Sequence, residues 1–341
     1  MITWSRRKRT KFSEYKTEKL QGKKTFKETQ GIYVQKTSLP CIQIRFCYNN
    51  CYICSDTIFL GLAVKQWGGD GTTPNLGEII IGRCYDYIET VNPSAGRKNC
   101  SEIWEAFKSA FVNKDPCSIF PSDYELYINL TFHNIPPNKS FFWENNKDLV
   151  HRYSDRTKRY MPLGDTLPGW LGDNLNWCGV ANEPGMDYIS CPTTTECEYN
   201  AQESFWRIAS VTYAKYSYGE IQIMLNGSTP GGAFPVPSFL ADYEIPNFDT
   251  NKISKVNIWV MDDIGGADID SCGKNSLSVL ETMLGSKHLS YSCVDNYRPV
   301  KILQCVDFPG HIDCITNSGI CFPASWIGIM LPWLALISNH F

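Results

Sequence analysis

Glu220-Ile-Gln-Ile-Met-Leu-Asn226 and Lys255-Val-Asn-Ile-Trp-Val-Met261 are the stretches whose reading decides the fold. Each is a short run dominated by large apolar residues, and each runs into a turn or loop rich in Gly or Asp, which is how a largely buried strand is bounded. Further on, 276–286 has helical character, and two more short strands are expected near 288–292 and 300–306. Strands alternating with helices predict a small parallel sheet, because a parallel neighbour needs a crossover long enough to hold a helix. Upstream the period changes. Ser101 can cap a helix that places Ile103, Trp104, Phe107, Ala110 and Phe111 on one face, ended at Asp115-Pro116. Further helical stretches are expected over 143–160, 165–177 and 203–215. The predicted class is α+β to α/β: a mainly helical subdomain over 65–217, then a parallel-sheet subdomain over 218–316, with the boundary near Ser217-Gly219.

A chain of 341 residues holds one large domain or two modest ones. Its net charge of -3 argues against nucleic acid as a partner. That average hides an asymmetry, since residues 1–30 carry ten Lys or Arg against three Glu. The 15 cysteines say more. Ten lie between Cys84 and Cys314, with no zinc-like Cys/His spacing, and read as a disulfide framework. Four Asn-X-Ser/Thr sequons, at Asn99, Asn129, Asn138 and Asn226, join them in pointing to the secretory route; Asn92 fails because Pro93 follows.

The two ends read differently. No Asp, Glu, Lys or Arg follows Asp313. Asn317, Ser318 and Gly319 precede a short spacer and the apolar run 326–337, the arrangement of a glycosylphosphatidylinositol signal with Asn317 as attachment site. A tail-anchored helix is the weaker reading, because Pro323 and Pro332 interrupt the run and no basic flank follows. Residues 1–64 show no leader pattern. An internal signal-anchor, a disordered cytoplasmic tail and a mis-assembled gene start are the readings of this segment, and the last agrees best with its mismatch to the rest. Its Cys51-Tyr-Ile-Cys54 lacks the second ligand pair or thioredoxin-like context that zinc or redox chemistry needs.

From residue types alone, chemistry is hardly visible. There is no G-x-S-x-G, phosphate-binding loop, HExxH or G-x-G-x-x-G, and no histidine has metal spacing. The 10 tryptophans are unusual, several being flanked by polar residues, as in Phe142-Trp143-Glu144 and Phe205-Trp206-Arg207. Any one Trp is more often core packing than a binding surface, and a loop acid such as Glu244 is more often solvated.

Longer segments change this. Residues 141–178, 188–210, 221–228, Ala241-Asp-Tyr-Glu-Ile-Pro-Asn247 and 297–306 closely resemble the ADP-ribosyl cyclase/cyclic ADP-ribose hydrolase family. Gly71-Thr-Thr-Pro-Asn-Leu76, the wording around Trp143 and Glu244, and the tail look most like its lipid-anchored branch. The likeness runs from about Trp67 to Cys314.

The resemblance implies a helical part followed by a four-stranded parallel sheet, with the active site between them. It implies the pairs Cys84–Cys100, Cys117–Cys197, Cys178–Cys191, Cys272–Cys293 and Cys305–Cys314, leaving Cys41, Cys47, Cys51, Cys54 and Cys321 outside. The implied activity is release of nicotinamide from NAD through an oxocarbenium-like ribosyl species, giving cyclic ADP-ribose or ADP-ribose. NAD is then substrate rather than cofactor, and no metal is expected. Glu244 is the implied catalytic carboxylate, Trp143 and Trp206 the cleft tryptophans, Ser210 a polar residue near the ribose, and Asp165 a contact of the nicotinamide amide. The hydrolase-rich branch has Glu-Asp where this chain has Gly164-Asp165, and Trp-Ser-Arg where it has Trp143-Glu144-Asn145, which predicts weak turnover and loose NAD binding. A homodimer on the outer face of the plasma membrane is expected, with cell-surface protein partners; a receptor or adhesion ectodomain with vestigial catalysis is the alternative.

Overall fold

The computed structural model describes residues 66–317. The basic segment 1–64, the five cysteines left without an implied partner and the apolar tail lie outside the described residues. In chain order the elements are β1 (Gly69–Asp70), α1 (Leu76–Asp86), α2 (Cys100–Ser109), α3 (Glu125–Thr131), β2 (Ser140–Glu144), α4 (Lys147–Thr157), β3 (Met161–Pro162), α5 (Leu167–Gly172), β4 (Ser190–Cys191) and α6 (Ala201–Tyr216). Then follow β5 (Gly219–Asn226), β6 (Ile253–Met261), α7 (Asn275–Ser286), β7 (Tyr291–Asp295), α8 (Arg298–Cys305) and α9 (Ile312–Asn317).

The two deciding stretches are β5 and β6, adjacent and parallel at the centre of a sheet with order β3-β2-β5-β6-β7. The four-stranded parallel sheet that the resemblance implies is formed by β2, β5, β6 and β7, of which β2 was not among the expected strands; the two-residue β3 adds a short fifth at the edge. β2 and β3 come from the stretch expected to be mainly helical, so the sheet draws on both sides of Ser217-Gly219. The end of β2 overlaps the start of the helix expected over 143–160. Phe141 and Phe142 are buried on opposite faces of the sheet, so this strand shows a continuous apolar run with no period to betray it. Asn145, at φ 54°, turns the chain out of β2 toward α4, a left-handed position that Asn tolerates better than most residues.

The expected strand near 300–306 is instead α8. Pro299 sits in its first turn, where the missing N–H costs nothing, and Val300, Lys301 and Gln304 are buried at helical spacing. The cap of α2 also differs from expectation: Asn99 rather than Ser101 accepts the Glu102 N–H, at 3.2 Å. The sequon residue is thus the N-cap.

The helices before β2, with α5 and α6, enclose a core of packed rings. The ring of Phe107 lies between 4.9 and 5.9 Å, centre to centre, from those of Phe111, Tyr124, Tyr127, Trp177 and Phe205. A second core, of Ile223, Ile258, Leu280 and their neighbours, covers one face of the sheet. A third, around Phe141, Met224 and Trp259, lies under α4 and α8 on the other. Five disulfides are formed, in the pairing that the resemblance implies. Three join residues before Ser217 to one another, and two join residues after it. No described disulfide links the two stretches.

Candidate active site

Reading across the sheet, chain order reverses between β2 and β5. Crevices for ligands open at such switch points, beyond the carboxyl ends of parallel strands, because the connections leave in opposite directions there. Trp143 and Glu144 are the last two residues of β2. They form one wall of a cavity of about 660 Å³, a size suited to a small organic ligand.

The facing wall is α6. Trp206, Ser210 and Tyr213 recur at steps of four and three, so one stripe of the helix lines the cavity. Asn200 starts this helix by accepting the Glu203 N–H at 2.9 Å. Trp206 is held edge-on against Phe205, with centroids 4.9 Å apart, so the aromatic core sets its orientation. Tyr213 is fixed at its hydroxyl, which accepts from the Phe141 N–H at 2.8 Å and donates to the Met161 carbonyl at 2.6 Å.

Glu244 enters from a third side, at the end of the wide turn Leu240–Glu244, just before Pro246. It is only 7% exposed. Burial pushes its carboxyl up to about 8; a hydrogen bond with Ser210 opposes this, and the Glu144 charge adds to it. Burial also raises Glu144, against hydrogen bonds from Ser238 and from the Asn145 and Leu240 backbone. Two acids thus share the site, and the charge of Glu144 makes Glu244 harder to ionise.

Trp143, Trp206, Ser210 and Glu244, scattered along the chain, line one cavity. Asp165 is not among the lining residues. Its carboxylate accepts from His151 Nδ1 at 2.8 Å, and His151 itself lines the cavity. Asp165, expected to contact the nicotinamide amide, thus meets the cavity through the imidazole of His151. Sequence reasoning passed over His151 and Tyr213. The spacing of Lys147 and His151, one turn apart on the helix that follows β2, was the available signal for the first. The basic side chains among the lining residues are Lys147 and His151, and Lys147 is tied to Asp173 at 2.6 Å. No cluster of three or more His, Cys, Asp or Glu suited to a metal occurs among the described residues.

Residues 73–314 match the family model described as ADP-ribosyl cyclase. The chain belongs to the ADP-ribosyl cyclase family. It is 51% identical over 258 residues to human ADP-ribosyl cyclase/cyclic ADP-ribose hydrolase 2, covering 76% of this chain and 81% of that one. Against the mouse type 1 protein the identity is 38% over 253 residues, covering 74% and 83%. The type 2 branch is the one that the wording around Trp143 and Glu244 favoured. A crystal structure of Aplysia cyclase with substrate NGD and product cGDPR superposes with a TM-score of 0.68 at 36% identity, covering 72% of this chain and 98% of that one. Apo porcine CD38 gives 0.63 at 34%, covering 68% and 100%.

Proposed function

We propose that this chain cleaves the bond between nicotinamide and ribose in NAD and passes the ribosyl group to adenine or to water, giving cyclic ADP-ribose or ADP-ribose. The carrying observation is a buried acid, Glu244, lining one cavity together with two tryptophans. The leaving group is a pyridinium that departs as a neutral molecule, so it needs no proton donor. What the site must supply is negative charge under the ribose as the oxocarbenium develops, and Glu244 supplies it. Ser210, hydrogen-bonded to that acid, orients it. The indoles of Trp143 and Trp206 hold the flat cationic ring, each cation–π contact contributing about 0.5–2 kcal/mol, enough to position NAD but not to break the bond. NAD is the substrate, and the chemistry assigns no cofactor. The porcine CD38 structure with a covalent intermediate, at 35% identity and a TM-score of 0.65, supports a ribosyl species held at the enzyme.

Glu144 weakens this site. It faces the cavity that must also take the pyrophosphate, and it makes Glu244 harder to ionise. Glu144→Gln therefore lowers KM for NAD about threefold and moves the rise of kcat/KM to lower pH. Steady-state assays of nicotinamide release across pH check both. An unchanged KM and profile would place Glu144 outside the working site.

The setting proposed for this chemistry is the outer face of the plasma membrane, with a lipid on Asn317, a homodimer, and protein partners at the cell surface. Five disulfides and exposed sequons support the secretory part. Asn99, Asn129 and Asn138 are exposed. Asn226 is half-buried, and its amide nitrogen donates to the Asn145 carbonyl and the Asp263 carboxylate, so it is the least available acceptor. Glycopeptide mapping of protein secreted by animal cells tests this order, and occupancy of Asn226 above the other three would contradict it.

A further inference from the structure

One residue of the cavity wall, His151, takes no part in the chemistry above, nor does its partner Asp165. His151 on α4 donates from Nδ1 to Asp165 at 2.8 Å. Its ring lies over Gly164, so closely that a Cβ there would stand 2.7 Å from Cε1 and 3.1 Å from Nε2. The ring thus occupies the space that a side chain at 164 would need, and both residues line the cavity. With Nδ1 engaged, Nε2 is the nitrogen left for a ligand. A carboxylate behind an imidazole fixes its tautomer and balances the charge when the second nitrogen gains a proton, which is what a general base requires.

We propose that His151 is the base that activates water for capture of the ribosyl species, positioned by Asp165, so that this pair sets the share of NAD ending as ADP-ribose. The proposal rests on the NAD-cleaving function above. Glu244, Tyr213 and His151 line the same cavity, with Asp165 bonded to the last of them. The charges of Glu244 and Asp165 add to the burial that raises the Tyr213 hydroxyl.

The step balances simply. Nicotinamide leaves with the electron pair of its bond to ribose. Water then forms the new C–O bond to that carbon and gives a proton to Nε2. The imidazolium is balanced by Asp165 and returns its proton to solvent. Capture by adenine differs, because a ring nitrogen attacks with its own lone pair and needs no proton removed. Protonating His151 therefore blocks one fate of the intermediate and not the other.

The charged groups that act on His151 are Asp165 in the turn after β3, Asp173 after α5, and Lys147 one turn earlier on α4. Burial disfavours the imidazolium, but the hydrogen bond and charge of Asp165, helped by Asp173 and opposed by Lys147, raise its pKa above the ordinary 6.5.

The test is the ratio of ADP-ribose to cyclic ADP-ribose made by the full chain as pH changes. Both products come from one intermediate, so ionisation of Glu244 scales both and cancels in the ratio. In the wild type the ratio rises about tenfold between about pH 5.5 and about pH 8.5. His151→Gln gives a low, flat ratio, and Asp165→Asn moves the inflection to lower pH. A flat wild-type ratio, or His151→Gln retaining the slope, overturns the proposal. Should His151→Gln not fold, the Asp165→Asn inflection decides, and an unmoved inflection counts against the pair. Absence of nicotinamide release from the wild type at every pH would instead overturn the functional reading, and this proposal with it.

Discussion

Glu244→Gln removes NAD turnover, lowering kcat by about a thousandfold while leaving the fold intact. Gln fills the same space and keeps an acceptor for Ser210, but it cannot carry the charge that the ribosyl cation needs. The free wild-type enzyme holds this acid with a pKa raised to about 8 by burial. Because the ionised form is the working one, kcat/KM climbs with pH toward that value and levels off above it. Bound NAD brings a positive ring beside the acid, so the corresponding inflection in kcat lies lower. Stability changes in the opposite sense. The folded state holds the Glu244 proton more tightly than the unfolded chain, whose ordinary value is 4.5. Between that value and about 8, rising pH therefore costs the wild type stability, on the order of a few kcal/mol. The variant has no such group. Melting curves should show Glu244→Gln above the wild type by a margin that widens from about pH 5 to about pH 8. A variant that still turns over NAD, or a margin that narrows, would falsify the assignment of Glu244.

Trp177→Ala is the second large effect, and it acts at a distance. Trp177 is fully buried, with ring centres 4.9 Å from Phe107 and 5.1 Å from Phe205. Its Nε1–H donates to the Tyr124 hydroxyl at 2.9 Å. Truncation leaves a cavity and deprives a buried hydroxyl of its donor, costing about 3–5 kcal/mol in urea unfolding. Phe205 loses its support, and with it the edge-on contact that seats Trp206. KM for NAD should therefore rise in the surviving folded protein. Trp177→Phe keeps most of the ring volume and should recover much of the stability. If Trp177→Ala shifted stability alone, with KM untouched, Trp206 would be seated independently of this core.

How much of this was legible depended on how cleanly each run is bounded. The β5 and β6 runs are apolar, eight and nine residues long and closed by a turn or loop, so both were readable as strands although they too are buried on both faces. β2 was not, because it is only five residues long and its aromatic run merged with the helix after it. α8 was misread for a related reason, as its eight residues are too few to separate one apolar period from another. The gathering of Trp143, Trp206, Ser210 and Glu244 around one cavity was legible only through long resemblance. Nothing in the local sequence of Glu244 distinguishes it from a solvated loop acid, since its burial comes from α6 and β2, which are far away in the chain. His151 was hidden for the same reason: its partner Asp165 is fourteen residues on and belongs to a different element.

The placement of the disulfides carries one more consequence. The stretches before and after Ser217 are each stitched internally, whereas no described sulfur bridge crosses from one to the other. What joins them is the shared sheet, through the pairing of β2 with β5, so the union between the halves owes nothing to oxidation. Mild reduction would therefore loosen the interior of one half while leaving that backbone seam in place.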